Sequence, residues 1–247
     1  MQSYGMIIGG ESMFEFIKNF FSSNNVTIIN GHVAGDDTKT ELRDFDETKS
    51  ENADNIEKIS IDSAFVNVNV SATDTTEITA HFYGQAEVNG ELIFEFLKVG
   101  SELRIFIKFK GNRCNGVLNL DISVPDKTFK AISAKSMSAN VVLGENVSSE
   151  RLNVETQSGN FETRATFEKA FASTMSGNID LYIKAKTDIK AELSTMSGNV
   201  SAELSNLKNI NLSTKTMSGN VNNYYKTENG YAADLNISTM SGNIRVR

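Results

Sequence analysis

Apolar and polar positions alternate with period two from residue 189 onward. Ile189, Ala191 and Leu193 run into Thr195 and, after a break of four residues, Val200, Ala202 and Leu204 continue the pattern. Such alternation, cut by a short polar stretch, predicts strand, tight turn, strand. It returns at Ile210, Leu212 and Thr214 followed by Val221, and at Leu235 and Ile237 followed by Ile244 and Val246. The break itself repeats: Thr-Met-Ser-Gly-Asn begins at Thr174, Thr195, Thr216 and Thr239, in steps of 21, 21 and 23 residues. Thr156-Gln157-Ser158-Gly159-Asn160 and Ser136-Met137-Ser138-Ala139-Asn140 extend it upstream. A unit of this length is too short for a crossover helix and fits one coil of a parallel β-helix. One coil cannot bury its apolar side, whereas a stack buries a continuous column. At about 4.8 Å per coil, six copies predict about 24 Å of solenoid.

The Ser-Gly-Asn triplets are then the corners: Ser158-Gly159-Asn160, Ser176-Gly177-Asn178, Ser197-Gly198-Asn199, Ser218-Gly219-Asn220 and Ser241-Gly242-Asn243. Glycine suits such a corner because it reaches positive φ without a Cβ penalty. Asn repeated at one corner predicts a ladder of side-chain amides from coil to coil. Ala139 in the first copy implies a differently turned corner there. Met175, Met196, Met217 and Met240, with Met137, align in a column that has two readings. Alternation from an inward Thr turns them out as an interaction stripe, while a bend at this residue makes them fill the corner of the core. The Thr column reads as a buried hydroxyl stack.

Upstream the pattern changes. Ile56, Ile59 and Ile61 followed by Phe65 to Val70 read as a strand pair, a degenerate first coil. Residues 92–97 and 103–109 flank Gly100-Ser101 as a β-hairpin. The aromatic residues gathered there predict a cap over one end of the stack. Ser12-Met13-Phe14-Glu15 has a capping-box spacing and opens a short apolar helix with Phe16, Ile17, Phe20 and Phe21. That helix is too short to span a bilayer and lacks the basic flank and cleavage site of a signal peptide. Residues 36–58 hold nine acids against four cations and read as a solvated linker. The expected organisation is residues 1–55 as helix and acidic linker, 56–135 as a β-rich capping region and 136–247 as the repeat solenoid.

The fold class is therefore all-β, a parallel β-solenoid with a β-rich N-terminal cap and a short N-terminal helix. The 247 residues, 39% hydrophobic with one proline and no Trp, suit short strands joined by polar turns. A net charge of −7 without a basic cluster argues against nucleic acid as a partner. Cys114 is the only cysteine, so no intramolecular disulfide forms. His32 and His81 have no Cys or acid at ligand spacing, which leaves zinc and a Ser-His-Asp triad without support, and no calcium-loop spacing occurs. No cofactor is expected. Two residues past each motif Asn stand Val142, Glu162, Asp180, Ser201, Asn222 and Arg245, which is not the acidic stack of a carbohydrate-active β-helix.

Ile122-Ser123-Val124-Pro125 followed by repeated Ser-Gly-Asn corners resembles the bacterial putative-adhesin family, a domain of unknown function, over about residues 56–247. The resemblance implies a β-solenoid, often exported or membrane-linked, with no family catalytic residues to transfer. The expected function is a noncatalytic interaction scaffold at the cell envelope, with a polysaccharide lyase or hydrolase as the alternative. Its partner would be a protein or glycan. Self-association is expected through Phe14, Phe16, Ile17, Phe20 and Phe21 or through a C-terminal edge, where Ile244 to Arg247 would leave an open strand flanked by Arg245 and Arg247.

Overall fold

The computed structural model describes residues 7–8, 11–12, 40–184, 188–205, 210–225 and 233–247. The chain divides into two units, residues 1–40 and 41–247. In the first, β1 (Ile7–Ile8) pairs antiparallel with β2 (Glu11–Ser12). The apolar helix expected over Met13 to Phe21 lies outside the described residues, so its candidate contacts Phe14, Phe16, Ile17, Phe20 and Phe21 do too.

The second unit opens with β3 (Glu41–Asn52), β4 (Lys58–Ser63), β5 (Asn67–Thr73), β6 (Glu77–Val99) and β7 (Glu102–Pro125). Four coils follow, each a strand, a corner and a strand: β8 (Thr128–Ser136) with β9 (Val141–Leu143), β10 (Ser148–Thr156) with β11 (Phe161–Thr163), β12 (Thr166–Thr174) with β13 (Ile179–Lys184), and β14 (Ile189–Thr195) with β15 (Val200–Ser205). The last strands are β16 (Ile210–Ser218), β17 (Val221–Asn223), β18 (Ala233–Ser241) and β19 (Ile244–Val246). Strands before the corners stack in parallel register on one face and strands after them on the other. Alternate side chains of both faces point between them, so Phe129, Ile132, Val154, Phe161, Leu181, Leu193 and Val200 are fully buried. No α-helix occurs among the described residues.

The cap is antiparallel. β6 and β7 form a hairpin turning at Gly100-Ser101, with Gly100 at φ 62, and it pairs far beyond the span read from the sequence, from Val99↔Glu102 back to Thr79↔Ser123. One half of β7 lies beside β4 and the other beside β5, so the hairpin wraps both faces. The wrap is accommodated near Gly90, at φ 137, where a register shift falls and a Cβ would meet the Lys110 carbonyl at 2.3 Å. β4 and β5 are the first coil. The acidic stretch expected as a linker is instead largely β3, paired residue for residue with β6 from Glu41↔Val88 to Asn52↔Glu77. Its high charge suits an outermost strand, exposed along one edge, as well as it suits a linker.

The order of the last two coils corrects the expected C-terminal edge. β18 lies between β14 and β16, and β19 between β15 and β17, so the final coil of the chain is inserted inside the stack. Composition explains the inversion. The inward positions of β18 and β19 are Ala233, Leu235, Ile237, Thr239, Ile244 and Val246, all buried. The matching positions of β16 and β17 include Thr214 opposite Ile237 and Asn223 opposite Val246. Burying the apolar coil on both sides and leaving the more polar one outside is the cheaper arrangement. Arg247 is not on an open edge; its guanidinium reaches Glu203 of the neighbouring coil at 2.9 Å.

Candidate functional site: corner ladder and outer face

Each corner is fastened by one residue type. The backbone N–H of each motif Asn donates to the side-chain Oδ1 of the Asn one coil nearer the cap: Asn160 to Asn140 at 3.0 Å, Asn178 to Asn160 at 2.8 Å, Asn199 to Asn178 at 2.9 Å, Asn243 to Asn199 at 2.9 Å and Asn220 to Asn243 at 3.0 Å. Two rungs escaped the sequence reading. Asn140 donates to Asn67 at 3.2 Å, and the Asn67 amide donates to Asn119 on β7 at 3.3 Å. The ladder therefore runs eight residues deep, into strands that carry no Ser-Gly-Asn signature. The signal in the sequence was an Asn directly followed by an apolar residue, Asn67-Val68 and Asn119-Leu120, as at Asn140-Val141.

The corner glycines serve close approach more than positive φ, which only Gly219 among them shows. A Cβ at Gly198 would stand 1.9 Å from the Gly177 carbonyl oxygen, and Gly159, Gly177 and Gly242 are confined alike. The Thr hydroxyls are buried, Thr174, Thr195 and Thr239 each donating to the glycine carbonyl of the adjacent coil. Continued alternation past the inward Thr keeps the methionines out of the core. Met175 and Met196 are half-buried, whereas Met240 and Met217 are 43% and 75% exposed. Ser158, Ser176, Ser197, Ser218 and Ser241 are exposed beside them.

Beyond the Asn ladder a second row crosses the outer face, in register order His81, Asp121, Asn69, Val142, Glu162, Asp180, Ser201, Arg245 and Asn222. At the cap end its side chains are pre-positioned. His81 Nε2 lies 2.8 Å from Asp46 and its ring stacks on Tyr83, whose hydroxyl donates to Asp121 at 3.1 Å and is held above the usual tyrosine range by that bond. The acid beside His81 was invisible in sequence because β3 supplies it across 35 residues.

Mid-face, Glu162 and Asp180 are register partners on adjacent coils. Burial, and then the Glu162 charge, push the Asp180 carboxyl above its usual range. Arg164 engages Glu162 at 3.3 Å and lies over the Tyr182 ring at 4.3 Å. Both acids project from the same side of one sheet, on adjacent coils. What the face offers is hydrogen bonding and charge at a regular spacing of about 4.8 Å. Among the described residues, no group of three His, Cys, Asp or Glu could hold a metal ion.

The sequence profile of the Toastrack DUF4097 family matches residues 56–166 and 142–247. The chain belongs to the Toastrack DUF4097 family. Among curated proteins none matches it. A crystal structure of a putative cell adhesion protein from Clostridium sporogenes ATCC 15579 superposes with a TM-score of 0.55 at 15% identity, covering 83% of this chain and 99% of that one. A putative adhesin from Bacteroides fragilis NCTC 9343 gives 0.46 at 15% identity, over 86% and 100% of the two chains. The first likeness agrees with the Toastrack solenoid drawn above, and at this identity it speaks to fold alone.

Proposed function

We propose that this Toastrack chain is a noncatalytic, adhesin-like binding module of the bacterial cell envelope, and that its outer face contacts a protein or glycan. The observation that carries the reading is the row from His81 to Asn222 beside the Asn ladder. It presents amides, carboxylates and guanidinium groups at strand spacing, the pattern that a long repetitive ligand can match at several points at once. The names of the structural relatives support the same direction. Among the described residues no helix is long and apolar enough to cross a membrane.

The test is binding of the full chain, immobilised on beads, to a panel of envelope polysaccharides and surface proteins. A triple variant, Asn69→Ala, Glu162→Gln and Asp180→Asn, should weaken the selected ligand at least about tenfold, equivalent to about 1.4 kcal/mol. The opposite-face variant Lys169→Gln with Glu192→Gln should bind as the parent does. Loss on the opposite face alone would refute the assignment, and release of reducing or unsaturated sugar ends would favour the enzyme instead. Protease treatment of intact cells, with cleavage of the chain as readout, tests the envelope location.

A further inference from the structure

The two ends of the stack differ in chemistry. At the cap end β3, the outermost strand of the face that holds β5 and β17, carries Glu41, Arg43, Asp44, Asp46, Glu47, Lys49 and Glu51 within twelve residues. Charge of that density discourages pairing by a further strand. At the other end β16 carries one charge, Lys215, in nine residues, and β17 carries none in three. Among the described residues β16 and β17 pair on one side only, with β18 and β19. Apolar side chains gather at this edge: Met217 is 75% exposed, Tyr224 70%, Met240 43% and Val221 40%.

We propose that this end docks against the same end of a second copy of the chain, about a two-fold axis normal to the two faces. β16 then runs antiparallel to its counterpart, and β17 to its own, so both sheets continue through the junction. Charge decides for a second copy in this orientation. Antiparallel pairing centred on Thr214 sets Lys215 opposite Ser213 and Leu212 opposite Thr216, so no like charges stand directly opposite each other. Head-to-tail stacking would instead set β17 against the seven charges of β3, and β16 against the second half of β6 with its Glu91, Glu95 and Lys98. The assembly therefore closes at two copies and does not grow into a fibre. Thr214 and Asn223, polar where the buried coils have Ile237 and Val246, make the junction a wet one.

Sedimentation equilibrium of the full chain, from about 1 to about 100 µM, reads the prediction directly. The parent should be dimeric, and Met217→Lys with Val221→Lys should weaken association at least about tenfold with an unchanged far-ultraviolet circular dichroism spectrum. Thr214→Cys on a Cys114→Ser background keeps the idea testable if the lysine variant misfolds, because mild oxidation should join two copies at the axis. A monomeric parent at the top concentration would overturn the proposal. So would dimers that ignore the lysine pair, filaments in place of dimers, or dissociation by Phe16→Lys with Phe20→Lys in its stead.

Discussion

Replacing Gly198 by alanine distinguishes two reasons for a glycine at the corner, because they predict opposite signs. Gly198 has no positive φ, so on backbone grounds alone alanine would raise stability by about 0.4–1 kcal/mol through the unfolded chain. The packing reason predicts a loss. The new Cβ would stand 1.9 Å from the Gly177 carbonyl oxygen and must move beyond 3.0 Å, a displacement of about 1 Å between adjacent coils. The hydrogen bonds that cross that corner include Ser197 N–H to the Met175 carbonyl at 2.9 Å, Asn199 N–H to Asn178 Oδ1 at 2.9 Å, Thr195 Oγ1 to the Gly177 carbonyl at 3.1 Å and Met196 N–H to the Thr174 carbonyl at 3.2 Å. A shift of that size carries at least two of them out of range, at about 1 kcal/mol each. Overpacking adds about 1 kcal/mol or more. The expected loss is about 3 kcal/mol, or roughly 6 to 12 °C in Tm. Urea unfolding followed by circular dichroism measures it, with Gly100→Ala as control, since Gly100 has φ 62 and nothing within 4 Å of a Cβ. That control should cost about 1 kcal/mol from backbone conformation alone. A midpoint for Gly198→Ala at or above the parent value would refute the packing argument.

Further expectations follow from other parts of the stack. Ile237→Thr should lose about 2 kcal/mol because β18 is buried on both sides, whereas Thr214→Ile on the outer coil should change stability by less than about 1 kcal/mol; equal losses in urea melts would contradict the coil order. Asn199→Ala removes the acceptor for the Asn243 N–H and should cost about 1 kcal/mol, with an unchanged melting curve counting against the ladder. Met196→Gln, at the outward corner position where Gln157 already stands in another coil, should cost less than about 1 kcal/mol, while a core methionine would cost about 2 or more. The raised carboxyl of Asp180 means that the folded chain holds this proton more tightly than the unfolded chain. Its stabilising contribution is present below the ordinary carboxylate range and is lost as pH rises through the raised value. Asp180→Asn should therefore unfold at pH 7 at or above the parent midpoint, by no more than about 1 kcal/mol for a half-exposed group, and a lower midpoint would show that the charged form is the stabilised one.

The sequence by itself determined the local rules of this protein. Period-two alternation, a short repeat and Ser-Gly-Asn corners are enough to specify strand, turn, strand, and an apolar side that only stacking can bury. The Asn column from Asn140 to Asn243, the buried Thr hydroxyls and the hairpin at Gly100 were legible because each rests on residues close in sequence or repeated at a fixed step. Tertiary structure decided what depends on comparing distant segments. Asn67 and Asn119 join the ladder only through the pairing of β5 with β7, and Asp46 reaches His81 only because β3 becomes a strand of the cap. The insertion of β18 and β19 beneath β16 and β17 was likewise hidden, since all these strands carry the same corner motif and local pattern cannot rank them. Their order follows from total burial: the coil with Ile237 and Val246 gains from two neighbours, and the coil with Thr214 and Asn223 tolerates one. The corner glycines teach the same lesson. Their identity was plain in the sequence, but the reason for it, a carbonyl 1.9 Å from the absent Cβ, belongs to the neighbouring coil.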